Sequence, residues 1–108
     1  NLCAVVDVNG LQIDGATADV MPSEPLEKKF EAFNWHVLKV DGHDLEAVAA
    51  ALDKAAGLKD KPTVILAKTV KGKGVSFMEG KASWHGAAPN PEQYETALAD
   101  LAKIEEVL

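Results

Sequence analysis

The chain of 108 residues has a single cysteine, Cys3, so no disulfide can form within it and a reducing compartment is the default expectation. Cys3 lies inside an apolar run and reads as a small buried core residue. No apolar stretch approaches the roughly 18 residues that a membrane span needs. The first residues lack the basic leader and small-residue cleavage site of a signal peptide, so the expectation is a cytoplasmic protein without a membrane partner. Basic residues are in deficit: 11 stand against 17 acidic ones, and the net charge of −6 would repel nucleic-acid phosphates. There is no internal repeat, no low-complexity linker and no zinc-type spacing among His36, His43 and His85. Structural roles are expected for His36, in a strand, and His43, in a turn. The chain opens on Asn1 without a methionine and enters a core strand almost at once, the pattern of a piece of a larger protein.

What is present is enough for one domain, with 47% of residues hydrophobic. Leu2 to Val8 is nearly continuously apolar, as in a strand covered on both faces, and ends at an Asn9-Gly10 turn signal. "MPSEPLEKKFEAFN" predicts a helix from near Pro25, with Ser23 as candidate cap, to about Asn34. "WHVLKV" (35 to 40) predicts a second strand. Asp44 is a candidate N-cap for an alanine-rich helix with Leu45, Val48, Ala49 and Leu52 on its buried face and Gly57 at its end. "TVILA" after Pro62 predicts a third strand, and Tyr94, Leu98, Leu101 and Ile104 stripe a last helix from about Pro91 to Val107. Strand, helix, strand, helix, strand is the pattern of an α/β fold with a parallel sheet. Ligands gather beyond the carboxyl ends of such strands. Those ends are "DVNG", "DGHD" and "KTVKGKG", polar and glycine-rich.

Three features there carry candidate chemistry. Asp7 and Asn9 offer oxygens two residues apart, with Gly10 and an Asp14-Gly15 turn behind them; spacing alone favours an Asx-type turn over the other reading, a site for a hard cation such as magnesium. In "KGKG" (71 to 74) Lys71 and Lys73 stand between glycines, as in an anion-contact loop or a solvated basic turn, and basic charge concentrates at Lys68, Lys71 and Lys73. It is not a Walker A loop. His85, between Trp84 and Gly86, could donate to a phosphate or exchange a proton, or do neither.

Together these stretches resemble the transketolase family. "VVDVNGLQIDG" is similar to the second half of its thiamine diphosphate signature, an asparagine followed by an "x-I/L-x-I-D-G" run. "FNWHVLKVDGHDLEAVAAAL" resembles the segment after it, and "KPTVILAKTVKGKGVSFMEGKASWHGAAP" the end of the cofactor-binding domain, its "KGKG…WHG" form closest to N-terminal subunits of split transketolases and to deoxyxylulose phosphate synthases. The resemblance implies a parallel-sheet, three-layer fragment of a thiamine diphosphate-binding fold: residues 1–108 as the C-terminal half of a diphosphate-binding domain. It implies that Asn9, by its side-chain oxygen, and Leu11, by its backbone oxygen, hold Mg2+. Ile13 would pack on the cofactor ring, Lys71 would contact the diphosphate, and His85 would face the diphosphate and the sugar substrate. Asp7 would orient the asparagine loop.

The family's signature begins with Gly-Asp-Gly, whose aspartate is the other protein ligand to magnesium, and these 108 residues contain no such triplet. The glutamate that activates the cofactor comes from a separate pyrimidine-binding domain. The expectation is therefore a fragment or subunit of a transketolase-like enzyme, moving a two-carbon ketol unit between sugar phosphates, inactive alone and completed in an oligomer by chains carrying those parts. The alternatives are a non-catalytic binding or interaction module of the same fold, and, less well supported for want of a nucleophile, a magnesium-dependent phosphotransferase.

Overall fold

The computed structural model describes residues 1–105, so the last residues of the helix expected to reach Val107 lie outside the described range. In chain order the elements are β1 (Cys3–Val8), β2 (Leu11–Gln12), β3 (Gly15–Ala16), α1 (Thr17–Val20), α2 (Leu26–Ala32), β4 (His36–Asp41), α3 (Leu45–Gly57), β5 (Thr63–Lys68) and α4 (Pro91–Glu105). They form two units, Asn1–Asn9 with Pro22–Thr69, and Gly10–Met21 with the residues from Val70 onward. No described helix is long and apolar enough to cross a membrane.

The first unit is the expected α/β arrangement. Its three strands are parallel in the order β1-β5-β4, with Val5 and Leu38 both level with Ile65. β5 is the most apolar and β-branched strand, and sits in the middle, buried from Thr63 through Ala67. Ile65, 1% exposed, packs with Ala51 and Ala55 of α3 and with Leu38 and Val40 of β4. Lys39, on the opposite face of β4, reaches Glu27 of α2 at 3.0 Å. Helices thus lie on both faces of β4, the three-layer arrangement.

Local chemistry explains most element ends. Asp44 caps α3 as expected, accepting from the Ala47 N–H at 2.9 Å. Asn90 and Gln93 make a reciprocal capping box at the start of α4, at 2.8 and 2.9 Å, with Pro91 as its first residue. α2 stops where Asn34 enters the left-handed region (φ 62°) and the Trp35 N–H returns to the Phe30 carbonyl.

Four expectations are corrected. Ser23 does not cap α2; the nearer Glu24 carboxylate accepts from the Leu26 N–H at 2.9 Å. β1 is an edge strand covered on one face only: Cys3, Val5 and Asp7 share the α3 side of the sheet, where α3 packs over β4 and β5. Cys3 is therefore exposed, and Val5 is 61% exposed. The buried face of α3 is Ala51 and Ala55, while Leu45 (78% exposed) and Leu52 point outward. Small side chains let the helix approach the sheet closely, which outweighs the greater hydrophobicity of leucine. Finally, the tight turn is centred on Ile13-Asp14, one residue earlier than expected, because Gln12 pairs with Gly15 in the hairpin of β2 and β3.

Candidate functional site

The carboxyl ends of the three parallel strands are level, with Val8 and Asp41 both paired to Lys68. Thr69, the next residue, ties β5 to β1 twice. Its N–H donates to the Val8 carbonyl at 3.3 Å, and its hydroxyl donates to Asp7 Oδ1. On the other side, Gly42 N–H donates to the Lys68 carbonyl at 2.8 Å. A Cβ on Gly42 would stand 2.5 Å from Thr69 Cγ2, so only glycine leaves room for this threonine. Asp41 accepts the His43 N–H at 2.9 Å in the turn that follows. Asp7 is thus bound to a neighbouring strand end, two residues before Asn9.

In the second unit Gly10 turns the chain with φ 73°, the left-handed region that glycine enters without strain, and the Thr17 N–H and hydroxyl both close on its carbonyl at 2.9 and 3.2 Å. Leu11 opens the hairpin and Ile13 occupies its tip, 60% exposed. Ile13 thus carries a large apolar side chain outward on a two-residue turn.

The "KGKG" stretch and the residues after it fold into successive turns: the Lys73 N–H donates to the Val70 carbonyl, the N–H groups of Val75 and Gly80 donate to the Gly72 and Lys71 carbonyls, and Lys73 pairs with Glu79 at 3.1 Å. Lys71 is half-buried, with Nζ 3.5 Å from Nδ1 of the exposed His85. The histidine is set by its neighbours: Trp84 donates Nε1–H to the Phe77 carbonyl at 3.0 Å, its ring lies 5.1 Å from that of Phe77, and Gly86 bends the chain onward at φ 80°. The structure therefore brings Lys71 and His85 together. His36 joins Asp60 at 2.8 Å, away from Lys71 and His85 in sequence. Among the described residues no three His, Cys, Asp or Glu side chains gather as a metal cage.

Sequence reasoning did not find Thr69 or Asp100. The Asp100 carboxylate accepts both the Ser76 N–H (3.0 Å) and the Ser76 hydroxyl (2.6 Å), tethering the turn after "KGKG" to α4. The Ser76 hydroxyl, then its N–H and then Lys103, holds the Asp100 carboxyl below the ordinary carboxylate range, against the opposing effect of burial. A carboxylate depressed in the folded state contributes stability above its unfolded pKa and loses it as pH falls through the folded value. Asp100→Asn should therefore lower the melting temperature at pH 7 and lose that difference below about pH 4; equal destabilisation from pH 7 to pH 3 would remove the carboxylate from the account.

The comparisons with known proteins agree with this architecture. The family model described as transketolase, thiamine diphosphate binding domain, matches residues 1–101. A 6-deoxy-6-sulfo-D-fructose transketolase subunit from a Clostridium strain is 44% identical over 103 residues, 95% of this chain and 38% of the relative. An apulose-4-phosphate transketolase subunit from Phocaeicola vulgatus is 40% identical over 95% of this chain and 37% of its own length. The transketolase of Campylobacter jejuni superposes with a TM-score of 0.81 at 34% identity, over 90% of this chain and 15% of that one. The chain thus spans less than two fifths of the curated relatives it matches. It belongs to the transketolase family, as part of the thiamine diphosphate-binding domain.

Proposed function

We propose that this chain supplies magnesium and diphosphate contacts to a transketolase-type enzyme that moves a two-carbon ketol unit between sugar phosphates. The observation that carries the reading is the match of residues 1–101 to a thiamine diphosphate-binding domain. Within that domain we assign residues 1–108 to the C-terminal half, in a cytoplasmic oligomer.

The donor set suits the group. The Asn9 carboxamide and the Leu11 carbonyl are neutral, hard oxygen donors of the kind magnesium takes, and magnesium shares its shell with substrate phosphates and a small number of protein oxygens. A metal held there would be shared with the cofactor diphosphate and the Gly-Asp-Gly aspartate of the family. Ile13, exposed at its hairpin tip, would pack against the cofactor ring. Lys71 would neutralise diphosphate charge, and His85, with Nδ1 toward Lys71, would donate from Nε2 to a diphosphate or sugar oxygen and pass a proton there. Thiamine diphosphate, when bound, supplies the electron sink for making and breaking the carbon–carbon bond beside the ketose carbonyl.

The partners implied are chains with the Gly-Asp-Gly half and the pyrimidine-binding domain, and the relatives named as subunits favour such an assembly. Mixing this chain with polypeptides that supply those parts should give ketol transfer from a ketose phosphate to an aldose phosphate, and each component alone should give none. Cofactor binding without turnover in the mixture would favour a non-catalytic module of the same fold.

A further inference from the structure

Beyond the residues that would touch the cofactor, we propose that Thr69 is a positioning residue: seated against Gly42, its hydroxyl holds Asp7 and so fixes the strand end from which Asn9 is presented. All of these residues lie in the first unit. Asp7 is the penultimate residue of an edge strand, and an edge strand's end is tied to the sheet on one side only. Thr69 supplies that side with two bonds, N–H to the Val8 carbonyl at 3.3 Å and hydroxyl to the Asp7 carboxylate. The second is charge-assisted and so the stronger kind. It also turns the carboxylate toward β5, where an unrestrained aspartate would sample several rotamers.

Thr69 is itself held. Gly42 donates to the carbonyl of Lys68, the residue before it, and approaches so closely that an added Cβ would meet Thr69 Cγ2 at 2.5 Å and Ala67 Cβ at 3.2 Å. The Thr69 methyl therefore occupies the space that a side chain at residue 42 would fill. The order runs from β4 through Gly42 and Thr69 to Asp7, and two residues later to Asn9. Groups that orient metal ligands from behind commonly set metal affinity by about 10–100-fold.

The role in magnesium binding rests on the proposed function, whereas the ordering of Asn9 does not, and the test separates them. In the assembled protein without ligand, hydrogen exchange at the Asn9 amide reports the strand end. Thr69→Val should speed it about tenfold, the effect expected on losing one charge-assisted bond, and Thr69→Ser should leave it near wild type. Asp7→Ala should match Thr69→Val, and the double variant should add nothing further. Where the valine variant fails to fold, Thr69→Ala takes its place.

With thiamine diphosphate present, Thr69→Val should raise the magnesium concentration for half-maximal cofactor binding by about 10–100-fold. Unchanged exchange in the valine variant, or full additivity with Asp7→Ala, would overturn the proposal. If Asn9→Ala keeps the wild-type magnesium requirement, the magnesium reading fails, and the ligand-free exchange measurement still decides the role of Thr69.

Discussion

Asn9→Ala in the assembled protein is expected to raise the magnesium requirement for thiamine diphosphate binding by more than about 100-fold, the upper end of what residues behind a metal ligand cost, because here the ligand itself is removed. Stability should fall by no more than about 1 kcal/mol, the net worth of an ordinary hydrogen bond. Asn9→Gln should be almost as damaging. It keeps the amide but moves the oxygen by one methylene, and magnesium tolerates little departure from octahedral geometry. Isothermal calorimetry across a magnesium series reads both variants. A wild-type magnesium requirement in Asn9→Ala would leave the strand end as a simple polar turn, the other reading that Asp7, Asn9 and Gly10 allow.

The largest effect on folding should come from Ile65→Ala. Ile65 is 1% exposed at the centre of the middle strand and touches both the sheet and α3 through Leu38, Val40, Ala51 and Ala55. Truncation removes buried methylene and methyl groups and leaves a cavity that two alanines on a helix fill poorly, a loss of about 2–5 kcal/mol. At this chain length that lowers the melting temperature by roughly 10 °C or more. Leu45→Ala, by contrast, should change stability by less than about 0.5 kcal/mol, since Leu45 is 78% exposed. Urea denaturation of both variants measures the contrast, and similar losses would mean that Leu45 is covered in the native protein.

That contrast shows where the sequence was legible. The parallel sheet and its α/β character follow from apolar runs separated by glycine-rich loops, and the Asp44 cap follows from chemistry within four residues. Both depend on near neighbours only. The phase of α3 does not: Leu45, Ala49 and Leu52 satisfy helical spacing as well as Val48, Ala51 and Ala55 do, and only the sheet's demand for close approach selects the alanines. Cys3 fails for a related reason. An apolar strand does not announce whether it lies at the centre or the edge, and β5, not β1, takes the centre.

The candidate site divides in the same way. Asn9 and His85 were candidates from residue type and local setting alone, whereas the part given to Ile13 came only from family likeness. The meeting of Lys71 with His85 spans an irregular stretch of 14 residues, where no periodicity applies. Thr69 reaches Asp7 across 62 residues, and that pairing became visible only when β1 and β5 were known to be neighbours. The ion pair of Lys73 with Glu79, at 3.1 Å, likewise forms across turns that no periodicity announces.

The central claim is that Asn9 and Leu11 hold the metal that binds the cofactor diphosphate. Its most direct test is an anomalous-scattering map of the assembled protein crystallised with thiamine diphosphate and Mn2+ in place of Mg2+. The account predicts a manganese peak about 2.1 Å from the Asn9 side-chain oxygen and the Leu11 backbone oxygen. A bound cofactor whose metal peak touches neither residue would contradict it.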